Sequence, residues 1–221
     1  MLIPALDCAG TIEGVVASVR TVVPLVVVVD DGSQDDTAAR ARRAGAEVLA
    51  HGVNRGKGAA LLTGMSWLAE RGVRRVLTVD GDGQHLASEM PALIAASDAE
   101  PGALVVGARR LEGVEVAAVN LFGNRFANRW VEIACGQKIS DTQSGFRIYP
   151  LRATLALGVR SGRFAFETEV LIRAARAGIP IRSVPVKAYY PPPEERVSHY
   201  RRVRDTVRII FVVLGLILRV R

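Results

Sequence analysis

Four carboxylates in two short stretches carry the first chemical signal. Val26–Thr37 reads VVVVDDGSQDDT and Val76–His85 reads VLTVDGDGQH. In each, an apolar run of the kind that is buried ends directly in acid: Asp30 and Asp31 in the first, Asp80 and Asp82 in the second. A buried carboxylate without a partner is costly, so two such endings imply something that needs the charge. Asp80 and Asp82 flank Gly81 on a loop continued by Gly83, and glycines let a backbone approach a ligand closely. Paired loop carboxylates suit Mg²⁺ or Mn²⁺, hard cations whose shell is completed by substrate phosphates. A third stretch, HGVNRGKGAAL (His51–Leu61), sets Lys57 between glycines where a helix opens. Helix amides plus an ammonium suit a phosphate there, although the GxxxxGK[ST] spacing of a P-loop is absent. Taken singly, each stretch is equally a solvated turn or a capped helix start. Their repetition after buried strands favours a ligand.

The elements that must hold these residues alternate. Hydrophobic periodicity predicts strands at Leu2–Leu6, Leu25–Val29, Glu47–Ala50, Arg75–Val79 and Ala103–Gly107. Between them it predicts helices at Thr11–Val22, Asp35–Ala44, Gly58–Arg71 and Ser88–Ser97. Gln34 or Asp35 can cap the second helix and Gly45 can end it. Valine-rich strands alternating with helices make an α/β fold whose mostly parallel sheet is covered on both faces. Ligands of such sheets sit beyond the carboxyl ends of the strands, where all four aspartates fall. The second half reads less regularly: a connector at Leu111–Ala118, a helix at Val119–Cys135, a polar loop at Ser140–Pro150, a helix at Phe166–Ala177 closed by Gly178, and a strand at Ile181–Tyr189.

The 221 residues suffice for one substantial core plus an appendage, and a hydrophobic share of 49% excludes a disordered chain. The formal charge is +7, and Lys57, Lys138 and Lys187 are the sole lysines, so arginine carries the positive side. Arginine's planar fork suits bidentate phosphate recognition. Cys8 and Cys135 have no metal-type or CxxC spacing and read as reduced thiols. The opening residues MLIPAL show no basic leader and enter a strand at once.

After Tyr189 and Tyr190 come prolines, then RVSHYRRVRDTVR (Arg196–Arg208), with five arginines in thirteen residues, and the ten-residue apolar run Ile209–Leu218. That run is half of the roughly 20 residues a spanning helix needs. Arginines followed by a short apolar segment read as an interfacial anchor on an anionic membrane. No nucleic-acid-binding module accompanies them, so nucleic acid is not expected as a partner. The chain divides into a domain of residues 1–190 and a basic lid or linker with an apolar interfacial helix, residues 191–221.

In order along the chain, LIPALD, VVVVDDGSQDDT, NRGKGAAL, VDGDGQH, GARR, DTQSGFRIYP and FAFETEVLIRAARAG resemble glycosyltransferase family 2. These inverting enzymes have the GT-A fold, and the likeness is greatest to the dolichyl- or polyprenyl-phosphate mannosyltransferase and glucosyltransferase branch. Asp7 stands where that family usually has Asn. The resemblance implies that Pro4, Ala5 and Leu6 line a nucleobase pocket, with Asp30 reading base or ribose and Asp31 supporting it. Lys57 would sit near base or diphosphate. Asp80, Gly81 and Asp82 would form the metal-binding loop for Mg²⁺ or Mn²⁺, followed by Gln84 at the donor sugar or metal shell. Arg109, with Arg125 or Arg129, would bind acceptor phosphate, joined by Ser198 and Arg201 from the lid. Asp141, Gln143 and Ser144 would face the reacting sugar, and Glu167 and Glu169 its hydroxyls or the shell behind them.

The function expected is transfer of a hexose from a GDP- or UDP-linked donor to a lipid acceptor, a polyprenyl phosphate, by a peripheral enzyme of the cytoplasmic membrane face. Homo-oligomerisation is compatible with this reading. A lipid phosphate is already anionic and needs no strong base. A hydroxyl acceptor needs one, and Asp141 is the candidate. Transfer to a hydroxyl and a non-catalytic nucleotide-sugar-binding module are the rival readings.

Overall fold

The computed structural model describes residues 1–110, 131–159, 161, 165–190 and 215. Side chains alternate across a strand, and the valine run uses both directions. Leu2, Val27 and Val29 enter one core while Ile3, Ala5, Val26 and Val28 enter another. A strand apolar on both faces must lie inside a sheet covered twice.

That sheet has seven strands. In chain order they are β1 (Leu2–Ala5), β2 (Val27–Asp30), β3 (Glu47–Ala50), β4 (Arg75–Thr78), β5 (Leu104–Arg109), β6 (Arg147–Pro150) and β7 (Ile181–Val186). Their spatial order is β3-β2-β1-β4-β6-β5-β7. On one face α3 (Lys57–Glu70), α5 (Leu151–Ala156) and α6 (Ala165–Arg176) bury Leu61, Met65, Leu151 and Phe166. On the other, α1 (Ile12–Arg20), α2 (Thr37–Arg43) and α4 (Met90–Ala99) bury Ile12, Val16, Ala41 and Leu93. The predicted elements of the first half are all present, with ends that shift by one or two residues; β5, for example, runs on to Arg109. The fourth helix starts at Met90 after a 3₁₀ turn, Ala87–Glu89. Asp35, not a capping Gln34, accepts the Thr37 amide at the start of α2, and Gly45 ends that helix at φ +87.

The expected polar loop Ser140–Pro150 is half wrong. Its end is β6, antiparallel to both β4 and β5 in the middle of the sheet, and α5 follows without a break. β6 runs against its neighbours, with Arg147 paired to Thr78 and Val106. The loop entering β6 therefore arrives at the edge where β1, β2, β4 and β5 end. An antiparallel strand thus adds a seventh connection to the ligand edge. β7 stops at Val186, and Pro185 is tolerated because β7 is an edge strand. Residues 131–135 are helical; the rest of the predicted Val119–Cys135 helix, the 111–118 connector, and the lid and tail apart from Gly215 lie outside the described residues. No helix among the described residues is long and apolar enough to cross a membrane.

Candidate active site

The loops after β1 and β2 are stitched to each other. Asp7 donates its amide to Ser33 Oγ (3.0 Å) and accepts from the Gln34 amide (2.7 Å). The Cys8 amide donates to Thr37 Oγ1 (2.8 Å) and the Ala9 amide to Asp35 Oδ2 (3.0 Å). Asp7 adopts φ +43 to do this, a conformation open to Asp and Asn among non-glycine residues. Thr11 Oγ1 then donates to Gly81 O (2.6 Å), which fastens the same loop to the Asp80–Asp82 turn. Pro4, Ala5 and Leu6 lead into this junction, and Ala5 O accepts the Asp31 amide (2.8 Å).

Asp30 and Asp31, adjacent in sequence, divide the work. Asp30 Oδ1 accepts from the amide and hydroxyl of Ser33, closing the turn. Asp31 is 3% exposed and spends both oxygens internally. Oδ1 meets His51 Nδ1 (2.7 Å) and the Arg55 amide (2.9 Å), and Oδ2 takes the Gly56 amide (2.7 Å). His51 continues to Thr63 Oγ1 (3.0 Å). Asp31 therefore shapes the 51–56 loop, and His51, which the sequence reading passed over, is part of that brace. Gly32 is required between them. It sits at φ +82, and a Cβ there would lie 2.7 Å from the Asn54 amide nitrogen.

Lys57, expected near base or diphosphate, lies between two carboxylates. Its ammonium lies 2.6 Å from Asp80 Oδ1 and 2.6 Å from Glu167 Oε1. Burial alone opposes its charge, but the two carboxylates outweigh that and raise its pKa. Asp80 is the mirror case: burial would raise it, yet Lys57 and His85 hold it well below the carboxylate range. His85 Nε2 is 3.5 Å from Asp80 Oδ2, and its ring stacks on Phe146 at 5.0 Å. Gly145 packs on the same carboxylate so closely that a Cβ would fall 2.7 Å from either oxygen. Among the described residues Asp82 forms no ion pair of its own. It accepts the Gln84 amide (3.0 Å), and burial together with the Asp80 charge pushes its carboxyl above the ordinary value.

The polar loop before β6 is held by a residue that sequence reasoning missed. Arg147 is 0% exposed. Its guanidinium donates to Ser144 O (2.7 Å), Thr142 O (2.7 Å) and Glu167 O (2.8 Å). Thr78 Oγ1 adds a bond to Gly145 O (2.7 Å). Three inward carbonyls fix the loop carrying Asp141, Gln143 and Ser144, and join it to the start of α6. Ser144 is consequently buried, its hydroxyl accepting the Phe146 amide (3.3 Å), so it supports the turn. Gln143 remains half-exposed at the loop's crest. Glu167 faces Lys57. Glu169 turns away to Arg173 Nε and the Ser161 amide (2.8 Å), bracing α6 and not the site.

Asp141 adopts φ +78 and meets Arg109 at the end of β5. Arg109 Nε and Nη2 reach its two oxygens at 2.6 and 2.9 Å, and the Arg109 amide adds 3.2 Å. The fork leaves Nη1 for another acceptor. Arg125, Arg129, Ser198 and Arg201, the remaining acceptor-phosphate candidates, lie outside the described residues. Cys8 and Cys135 are free thiols that burial pushes up to about 11 and about 12, so neither is a nucleophile near neutral pH.

Residues 1–155 match the model of glycosyl transferase family 2. The undecaprenyl-phosphate mannosyltransferase of Micrococcus luteus is 32% identical over 73% of this chain and 70% of its own length. The polyprenol monophosphomannose synthase of Mycolicibacterium smegmatis is 29% identical over 84% of this chain and 75% of its own. Among solved structures, glucosyl-3-phosphoglycerate synthase from Mycobacterium tuberculosis with Mn²⁺, UDP and phosphoglyceric acid superposes with a TM-score of 0.75 at 22% identity, over 97% of this chain and 76% of that one. The seven-stranded sheet, the acidic loops at its carboxyl edge and these matches agree: the chain belongs to glycosyl transferase family 2 and is a glycosyltransferase with the GT-A fold.

Proposed function

We propose that this glycosyltransferase moves a hexose from a GDP- or UDP-linked donor onto a polyprenyl phosphate, with inversion at the sugar carbon. The observation that carries the acceptor is the Arg109–Asp141 pair. Asp141, the carboxylate that a hydroxyl acceptor would use as its base, is bound by both oxygens to Arg109. A bidentate pair of this kind orients a guanidinium, and the oriented group suits an anionic acceptor. Both named relatives carry a lipid phosphate or its mannosylated product in their names, which supports the same choice.

The residues present fit a divalent cation. One ammonium, Lys57, faces two carboxylates, Asp80 and Glu167, and half-buried Asp82 adds a third whose ionisation burial and the Asp80 charge oppose, so the cluster is short of positive charge. Asp80 and Asp82 would hold Mg²⁺ or Mn²⁺, with Gln84 behind them. No group of three or more His, Cys, Asp or Glu among the described residues forms a complete cage, so donor phosphates would complete the shell. When bound, the cation neutralises the charge that the departing nucleotide diphosphate develops. Arg109 steers a lipid-phosphate oxygen to the sugar's C1 on the side opposite the leaving diphosphate. The new C1–O bond forms as the old one breaks, and no enzyme nucleophile or proton acceptor takes part. The carboxylate-lined turn of Asp30 and Ser33, with Pro4, Ala5 and Leu6, holds the nucleoside end.

Calorimetry with UDP- and GDP-hexoses plus Mn²⁺ tests the donor half. Asp82→Asn should abolish metal-dependent binding and leave the fold intact; unchanged affinity and metal dependence contradict it. The arginines from Arg196 to Arg208 and the apolar run after them support a membrane-surface role. Flotation on anionic vesicles should fade with salt and on removal of Arg208–Arg221. Equal flotation of both chains at all salt levels places the contact elsewhere.

A further inference from the structure

Lys57 opens α3, Asp80 follows β4, and Glu167 lies in the first turn of α6. One ammonium joins these three elements, 2.6 Å from each carboxylate. Its side chain is 15% exposed and that of Glu167 is 3% exposed, so reaching a diphosphate would require Lys57 to abandon both. Asp80 cannot easily swing away either, because the Gly145 backbone and His85 close its other sides. A divalent cation arriving at Asp80 and Asp82 therefore meets a carboxylate already committed to a resident cation.

We propose that Lys57 is a positioning residue that acts as an internal counter-ion for Asp80, so that the divalent cation binds strongly only together with a nucleotide diphosphate. This rests on the metal site proposed above. Two like charges sharing Asp80 repel, and close to a protein surface that repulsion is only partly screened. Without nucleotide, Asp82 is left as the one carboxylate of the pair that Lys57 does not hold. The diphosphate brings both oxygen ligands and negative charge, which offset the repulsion. Glu167 is the second half of the device: it keeps Lys57 anchored when Asp80 is shared with the cation. Cation and nucleotide then strengthen each other's binding by the same factor, as linkage demands. A site so built stays metal-poor until the donor is present.

The test is Mn²⁺ titration followed by electron paramagnetic resonance of the free ion, without nucleotide and with UDP or GDP. Wild-type protein should bind Mn²⁺ weakly alone and at least about tenfold more tightly with one of the nucleotides, within the usual range of such couplings. Lys57→Met should bind Mn²⁺ alone about tenfold more tightly than wild type and lose most of the nucleotide enhancement. Mn²⁺ alone should also raise the melting temperature of Lys57→Met more than that of wild type. Lys57→Arg, which keeps the charge, should retain the wild-type pattern. A folded Lys57→Met with wild-type Mn²⁺ affinity in both conditions overturns the proposal. Should that variant fail to fold, Glu167→Gln decides. It leaves Lys57 with Asp80 as its one charged partner of the pair, so Mn²⁺ binding with nucleotide should weaken, and unchanged binding overturns the proposal. Mn²⁺ binding that is lost in Asp82→Asn but indifferent to Lys57 and Glu167 sinks this inference alone. No Mn²⁺ binding with either nucleotide in wild type removes the metal site itself, and this inference with it.

Discussion

At the scale of single residues, the site is defined by which charges are matched and which are not. Lys57 is shared by Asp80 and Glu167, Arg109 serves Asp141, and Asp82 has no ion pair of its own among the described residues. The aspartates were legible because acid at the end of a buried strand has no cheap structural explanation. Their partners were not. Nothing in NRGKGAAL tells an ammonium facing a phosphate from one facing two carboxylates, since the second carboxylate, Glu167, is more than a hundred residues away. Asp31 and Glu169 were likewise legible as carboxylates with a supporting reading open to them, but the loop and helix they hold were not. Gly145 tests the crowding around Asp80. A methyl group there would sit 2.7 Å from a carboxylate that Lys57 already holds, so the short side chain cannot yield without loss. Gly145→Ala should lower metal-dependent nucleotide affinity by about tenfold or more while the protein stays folded, as isothermal titration and circular dichroism would show. Wild-type affinity would mean that Asp80 is freer than its contacts indicate.

At the scale of elements, the carboxyl edge of the sheet was foreseen and its most useful strand was not. RIYP is four residues long and carries an arginine and a proline, so it lacks the alternating apolar pattern that announces a strand. Tertiary context overrides that pattern: β6 is fully buried because Arg147 is satisfied by three carbonyls. Removing the guanidinium orphans those carbonyls in a closed interior. Arg147→Met should therefore destabilise the protein by about 1–3 kcal/mol for each carbonyl left without a partner, measurable by urea unfolding. A loss below about 1 kcal/mol would mean that water or another donor takes over. Glu169 gives a subtler case. Burial opposes its ionisation, but Ser161 and Arg173 outweigh that and hold its pKa below the ordinary 4.5. A depressed pKa stabilises above the unfolded value, and that stability is lost as pH falls through the folded value. Glu169→Gln should thus cost stability at pH 7, and the difference from wild type should shrink as the pH drops below about 4.5. A difference that is constant from pH 7 to pH 4 would show that the brace does not depend on charge.

At the scale of the whole molecule, two cores on either side of one sheet leave a single edge where most connections emerge, and the chain places its charged residues there. The loop that precedes β6 joins that edge because its strand runs backwards, bringing Asp141 to Arg109 from 32 residues along the chain. In the function proposed above, this edge joins a nucleotide-linked sugar to an acceptor that is already an anion. The most direct measurement offers the purified full-length chain a labelled UDP- or GDP-hexose with Mn²⁺ and two lipids of identical chain length, a polyprenyl phosphate and the corresponding phosphate-free polyprenol. The account predicts label in the phosphate lipid, with the opposite anomeric configuration to the donor, and none in the polyprenol. It also predicts that Arg109→Ala raises the Michaelis constant for the phosphate lipid more than it weakens donor binding. Transfer to the polyprenol at a comparable rate, or retention of the donor's configuration, would contradict it.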